Sequence, residues 1–137
     1  MSGGGEGTVL DVAIDGARVA SIGDFYAQLN AALMQGEDWQ LGASLDALND
    51  LLYGGFGALA GVDSQRWTFT DHEAMRGALG VKATREWLEA KLAPEGPFDR
   101  PTIRSQLARL QETGHATYFE LILEVFADHP DVELLLR

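Results

Sequence analysis

Three short stretches of alternating apolar residues, parted from one another by long segments of helical period, leave this chain few ways to fold. From Thr8 to Ile14 the residues Leu10, Val12 and Ile14 alternate with Val9, Asp11 and Ala13, and the stretch runs into an Asp15-Gly16 turn. Arg66 to Thr70 is rich in aromatic and β-branched residues, and in Asp131 to Arg137 the residues Val132, Leu134 and Leu136 alternate again. Each reads as a strand. Strands separated by helices favour a parallel sheet with right-handed crossovers, so the expectation is an α/β fold: a small three-stranded parallel sheet packed by helices.

The intervening segments carry the helical signals. Phe25, Leu29, Ala32 and Leu33 recur at helical spacing between Asp24 and Met34, with Asp24 suited to the positive end of the helix dipole. A second helix runs from Ser44, a suitable N-cap, to the glycines after Tyr53. Further helices are expected from Asp71 to about Leu79, over Thr84–Leu92 and over Thr102–Glu112, the last two parted by the breaker Pro94-Glu95-Gly96-Pro97. Tyr118, Phe119, Ile122, Val125 and Phe126 form a broad apolar helix face before the final strand. Residues 8–137 thus read as one domain, and the glycine-rich Met1–Gly7 as a disordered start with nothing to bury.

Composition narrows the function. The net charge is −11, which opposes phosphate backbones and argues against direct nucleic-acid binding; a basic partner is the natural inference. The acids are unevenly spread. Residues 1–63 hold nine acids against Arg18 alone, residues 64–112 are nearly neutral with seven acids and eight bases, and residues 113–137 hold five acids against Arg137. The chain has no cysteine, so neither disulfides nor thiolate metal sites are available and the fold must hold by packing. With no apolar run of membrane-spanning length and no secretion signal in MSGGGEG, the expected location is the cytoplasm.

The helix after Ser44, SLDALNDLLY, resolves into two faces when rotated about 100° per residue from Leu45. Leu48 and Leu52 fall within about 60° of Leu45, whereas Asn49, Tyr53, Asp46 and Asp50 lie at about 40°, 80°, 100° and 140°. One side is apolar, the other acidic and aromatic. Asp46 and Asp50 are like charges one turn apart and cost an isolated helix a few tenths of a kcal/mol, roughly. A solvated polar face is the ordinary explanation of such a pattern; a binding face for a basic partner is the functional one. A carboxylate pair could also serve a glycosidase or hold magnesium, but no His-rich or Glu-rich cluster joins it, so catalysis ranks below binding.

Other motifs carry less. Gly55 to Ala60 formally matches G-x-G-x-x-A, yet it follows a helix rather than a strand, so Gly54, Gly55 and Gly57 read as helix cap and loop, with the loop free to touch a partner. His72, His115 and His129 are scattered and read as surface or capping residues, and no serine sits in a G-x-S-x-G setting. Trp67 is expected in the core. Trp39, beside Asp38 in the acidic loop before the helix, is a candidate partner anchor.

The stretch Leu45-Asp46-Ala47-Leu48-Asn49-Asp50 resembles the inhibitory helix of the barstar family of ribonuclease inhibitors, with its Leu-Asp-Ala-Leu-x-Asp core. The opening Val12-Ala13-Ile14-Asp15-Gly16 and the ending Glu124-Val125-Phe126-Ala127-Asp128, followed by Val132 to Leu136, agree with it in order and spacing. The resemblance implies a barstar-like fold and a non-enzymatic, cofactor-free inhibitor whose helix and preceding loop plug the active site of a basic microbial ribonuclease. On that reading Asp50 is the central phosphate mimic, Asp46 its partner and Asp128 a further contact. Asn49, Tyr53, Trp39, Asp38, Gly54 and Gly55 complete the expected contact set, and the free protein is expected to be monomeric. The sequence departs from the family in having Asn49 where tryptophan is common, Asp128 for the usual glutamate, and Gln40 and Leu41 where tyrosines are usual. Residues of about 80–112 look like an inserted helical pair. The alternatives outside this class are a carboxylate-based metal-dependent hydrolase and a non-catalytic interaction adaptor.

Overall fold

A computed structural model describes residues 8–92 and 98–137. The expectations for Met1–Gly7 and for the Pro94–Pro97 breaker lie outside the described residues. The chain is α/β: a sheet of three parallel strands, β1 (Val9–Asp15), β2 (Ser64–Thr70) and β3 (Val132–Leu136), packed by six helices. These are α1 (Ile22–Leu33), α2 (Leu45–Tyr53), α3 (His72–Ala78), α4 (Val81–Ala90), α5 (Arg100–Thr113) and α6 (Tyr118–Ala127).

The strand order is β1-β2-β3, so both crossovers step across the sheet in the same direction. Right-handed connections that step the same way place their helices on the same face. Burial follows that geometry. Val12, Ile14, Gln65, Trp67, Phe69 and Val132 lie under the helices, while Asp11, Ala13, Arg66 and Glu133 are exposed on the opposite side. Parallel sheets are usually covered on both faces; this one keeps one face open, dressed by an in-register row in which Arg66 reaches Glu133 at 3.0 Å and Asp11 at 3.5 Å.

Strand β2 begins two residues earlier than its aromatic run indicates. Gln65 is polar yet buried, because its side chain is fully used: Nε2 donates to Leu52 O at 3.1 Å and Oε1 accepts from Trp67 Nε1 at 2.9 Å. Helix α1 likewise starts at Ile22 rather than Asp24. Ser21 Oγ accepts from Asp24 N–H at 3.2 Å, while Asp24 Oδ2 reaches back to accept from Ala20 N–H at 3.0 Å.

The main core joins the sheet to α1, α2, α3 and α6 through Phe25, Leu29, Leu48, Leu51, Trp67, Phe69, Phe119 and Phe126. The expected helical pair is present as α4 and α5, around a small cluster of its own, Leu88, Ile103 and Leu110. Trp87 bridges the two clusters, its ring edge-on to Tyr118 at 4.8 Å. The first turn of α6 is seated on this junction. Thr84, fully buried, donates from Oγ1 to Gly80 O and accepts from Tyr118 N–H at 2.7 Å, and Phe119 N–H donates to Leu79 O. Thr117 and Glu120 close a capping box at the same end.

Candidate protein-interaction face

Helix α2 has nine residues, too few to be stable alone, and its position is set by its surroundings. Ser44 caps it, Oγ accepting from Ala47 N–H at 3.0 Å. The preceding loop is pinned to α1, where Leu41 N–H donates to Asn30 Oδ1 at 2.7 Å and Asn30 Nδ2 returns a bond to Leu41 O. Leu41 is buried, so this position is structural rather than presented to a partner. After α2 the chain turns through Gly54 and Gly55, at φ of 80° and 92°, and Gly57 N–H donates to Glu37 Oε2 at 2.8 Å. The loops before and after α2 are thereby tied together. At Gly57 a side chain is impossible without movement: φ is 59° and a Cβ would stand 2.4 Å from Leu33 O.

The buried arc of α2 runs from Leu51 through Leu48 to Leu52, leaving Leu45 half-buried. It is therefore rotated toward Leu51 relative to the arc centred between Leu45, Leu48 and Leu52. Asp46, Asp50 and Tyr53 are exposed as expected, Tyr53 by 75%. Asn49 is not on the free face. It is half-buried against the turn after α6, where His129 Nε2–H donates to Asn49 Oδ1 at 2.7 Å. The same imidazole stands edge-on to the Tyr53 ring, centroids 4.6 Å apart. His129 is only 5% exposed, which corrects its assignment as a surface or capping residue. The sequence held a signal for this: Ile122, Phe126 and His129 continue the spacing of the buried face of α6 just past its end.

Asp128, at the C-cap of α6, is exposed and adjoins His129 in the chain, so it borders the α2 face. Asp38 and Trp39 lie elsewhere. With Asn30, Met34 and Glu37 they line a groove of about 580 Å³ against α1, and Trp39, 46% exposed, packs on Phe56 at 5.3 Å. Phe56 follows α2, so Trp39 abuts the loop of Gly54 and Gly55 rather than the carboxylates.

The acids are not uniformly free of positive charge. Among the described residues neither Asp46 nor Asp50 makes a hydrogen bond or a close ion pair. Lys91, just after α4, nevertheless feels Asp46. Its ammonium lies 3.8 Å from the Trp87 ring centroid and 4.9 Å from that of Phe98, and its pKa falls below the usual lysine value because of burial, an effect that Asp46 opposes. The end of α4 thus sets Lys91 near enough to Asp46 to interact with it through space.

Among the described residues no three His, Asp or Glu side chains gather closely enough to hold a metal ion, and no helix is long and apolar enough to cross a membrane. Compared with known protein families and with characterised proteins, the chain matches no family model and no characterised sequence.

Proposed function

We propose that this chain is a barstar-like inhibitor of a basic microbial ribonuclease, which it blocks by laying the exposed face of α2 over the enzyme's phosphate-binding cleft. The observation that carries the reading is Asp50: an exposed carboxylate without a bonded partner among the described residues, on a short helix held in place from both ends. A ribonuclease cleft gathers Arg, Lys and His side chains to hold phosphate, so carboxylates on a fixed helix are complementary to it and the acidic field accelerates encounter. Asp50 is the principal mimic because it occupies the position that the barstar resemblance makes central, and its carboxylate is exposed. Tyr53 and Asp128 flank it, and Trp39 with Phe56 offers a second, aromatic contact beyond Gly54 and Gly55.

On this reading the protein has no catalytic role and no cofactor and acts in the cytoplasm as a monomer until it meets its enzyme. The test is inhibition of a barnase-like ribonuclease at low and high salt. The expected result is tight inhibition that weakens with salt and loses at least roughly thirtyfold, about 2 kcal/mol, on Asp50→Ala. Indifference of every such enzyme to the protein would refute the reading. Titration calorimetry with magnesium and calcium checks the metal-dependent alternative, for which tight binding at the Asp46 and Asp50 pair is required.

A further inference from the structure

Helix α2 must present its carboxylates in one orientation to be useful, yet its intrinsic means of doing so are few. It is nine residues long, its exposed face carries two like charges, and its C-terminal end opens into glycines at positive φ. Leu48, Leu51 and Leu52 hold it against the core, but apolar packing alone leaves a short helix free to roll by small angles. A directional contact midway along its half-buried flank would remove that freedom. His129 supplies one.

The backbone of His129 is fixed at both its polar groups. His129 N–H donates to Phe126 O at 3.0 Å, and His129 O accepts from Val132 N–H at 2.9 Å, so the residue is clamped between the end of α6 and the start of β3. From that anchor Nε2–H bonds Asn49, which lies between Asp46 and Asp50 along the helix, and the ring edge meets Tyr53 one turn further on. Two contacts at i and i+4 on one helix define its rotation about its own axis. The bond joins residues 80 apart in sequence and is part-buried, with His129 itself only 5% exposed, so a lost partner is costly there.

We infer that His129 is a positioning residue for the proposed ribonuclease-binding face, locking the rotation of α2 through Asn49 and Tyr53 so that Asp50 and Tyr53 are presented ready for the partner. This rests on the inhibitor reading for its purpose, but the lock itself is a property of the free protein. Preorganisation of this kind acts on the dissociation rate, while the charges that steer encounter are untouched.

The experiment compares the wild type with His129→Phe, which keeps a ring against Tyr53 but cannot donate to Asn49, and with His129→Gln, whose side-chain amide can donate at the same reach. Amide hydrogen exchange in the free proteins is read alongside association and dissociation rates with a barnase-like ribonuclease. In His129→Phe, exchange of the α2 amides is expected to accelerate roughly threefold to tenfold relative to those of α1 and α6. Dissociation is expected to quicken by a similar factor, with association changed by less than roughly twofold. His129→Gln should recover most of both effects, and Asn49→Ala should add little to His129→Phe. Unchanged α2 exchange in His129→Phe, acceleration spread equally over all helices, or no recovery in His129→Gln would overturn the inference. If the wild type binds no such ribonuclease, the inhibitor reading falls; selective loosening of α2 would then still establish the lock, and its absence would refute both.

Discussion

Neutralising Asp50 should make the free protein more stable while abolishing the proposed inhibition. Asp46 is the second residue of α2 and Asp50 the sixth, so the two lie in opposite halves of a helix about 14 Å long. A carboxylate in the last turn faces the negative end of the helix dipole and costs about 0.3–1 kcal/mol, and the i, i+4 repulsion from Asp46 adds about 0.2–0.5 kcal/mol. Asp50→Asn removes both at nearly unchanged shape and helix propensity, for an expected gain of about 0.5–1 kcal/mol after allowance for solvent screening. For a chain of this size that corresponds to a rise of roughly 2–4 °C in Tm. Asp46→Asn relieves the same repulsion but forfeits a favourable place in the first turn, so it should be neutral or destabilising by up to about 0.5 kcal/mol. Urea denaturation of the three proteins at pH 7, at low salt and in 1 M salt, measures these differences, which should shrink at high salt where the screening length is only about 3 Å. Destabilisation of Asp50→Asn by more than about 0.5 kcal/mol at low salt would refute the reasoning. It would mean that Asp50 is structurally engaged rather than held in reserve for a partner.

Thr84→Val keeps the shape of a fully buried side chain but leaves Tyr118 N–H without its acceptor at the start of α6, and should cost about 1–3 kcal/mol in urea denaturation; a neutral effect would show that α6 is not seated there. Gly57→Ala forces a Cβ against Leu33 O at positive φ and should cost about 2 kcal/mol or more by the same measurement. The carboxyl of Glu120 is held below its usual range by the N–H of Thr117, with help from His115. A depressed folded-state pKa adds stability that is complete above the unfolded value, near 4.5, and is lost as pH falls through the folded one. The stability difference between wild type and Glu120→Gln should therefore be largest at neutral pH and close progressively as the pH is lowered to about 3; a gap independent of pH would exclude the capping box as its source.

Period-2 and period-3.6 patterns were enough to locate the strands and helices because apolar residues such as Val12, Ile14, Leu48 and Phe126 report their own burial. Ser44 marks the start of α2 for a similar reason, its bond to Ala47 N–H being local. The features that escaped are polar residues whose burial depends on distant partners. Gln65 looks like loop until Leu52 O and Trp67 Nε1 satisfy it, and Asn49 looks solvated until His129 arrives from the far end of the chain. Lys91 escaped because its neighbourhood with Asp46 depends on how the inserted pair docks, which only the bridging of Trp87 between the two clusters determines.

The one-sided sheet explains why the proposed binding face falls where it does. With every described helix on a single face, α2 has the core below it and α6 along one flank, and its remaining surface is the free side of the helical layer. The chain brings three remote segments to the borders of that surface: the loop of Trp39, the end of α4 at Lys91, and the turn at His129. Each acts differently on the same nine residues. The first sets an aromatic pair beside the helix end, the second places a lysine near Asp46, and the third bonds Asn49 and meets Tyr53. A helix needing only to cover the core would gain nothing from keeping Asp50 in its last turn, where the dipole and Asp46 both oppose it. The unfavourable charge and the contacts that hold it in place make sense together when the missing positive charge is supplied by another molecule.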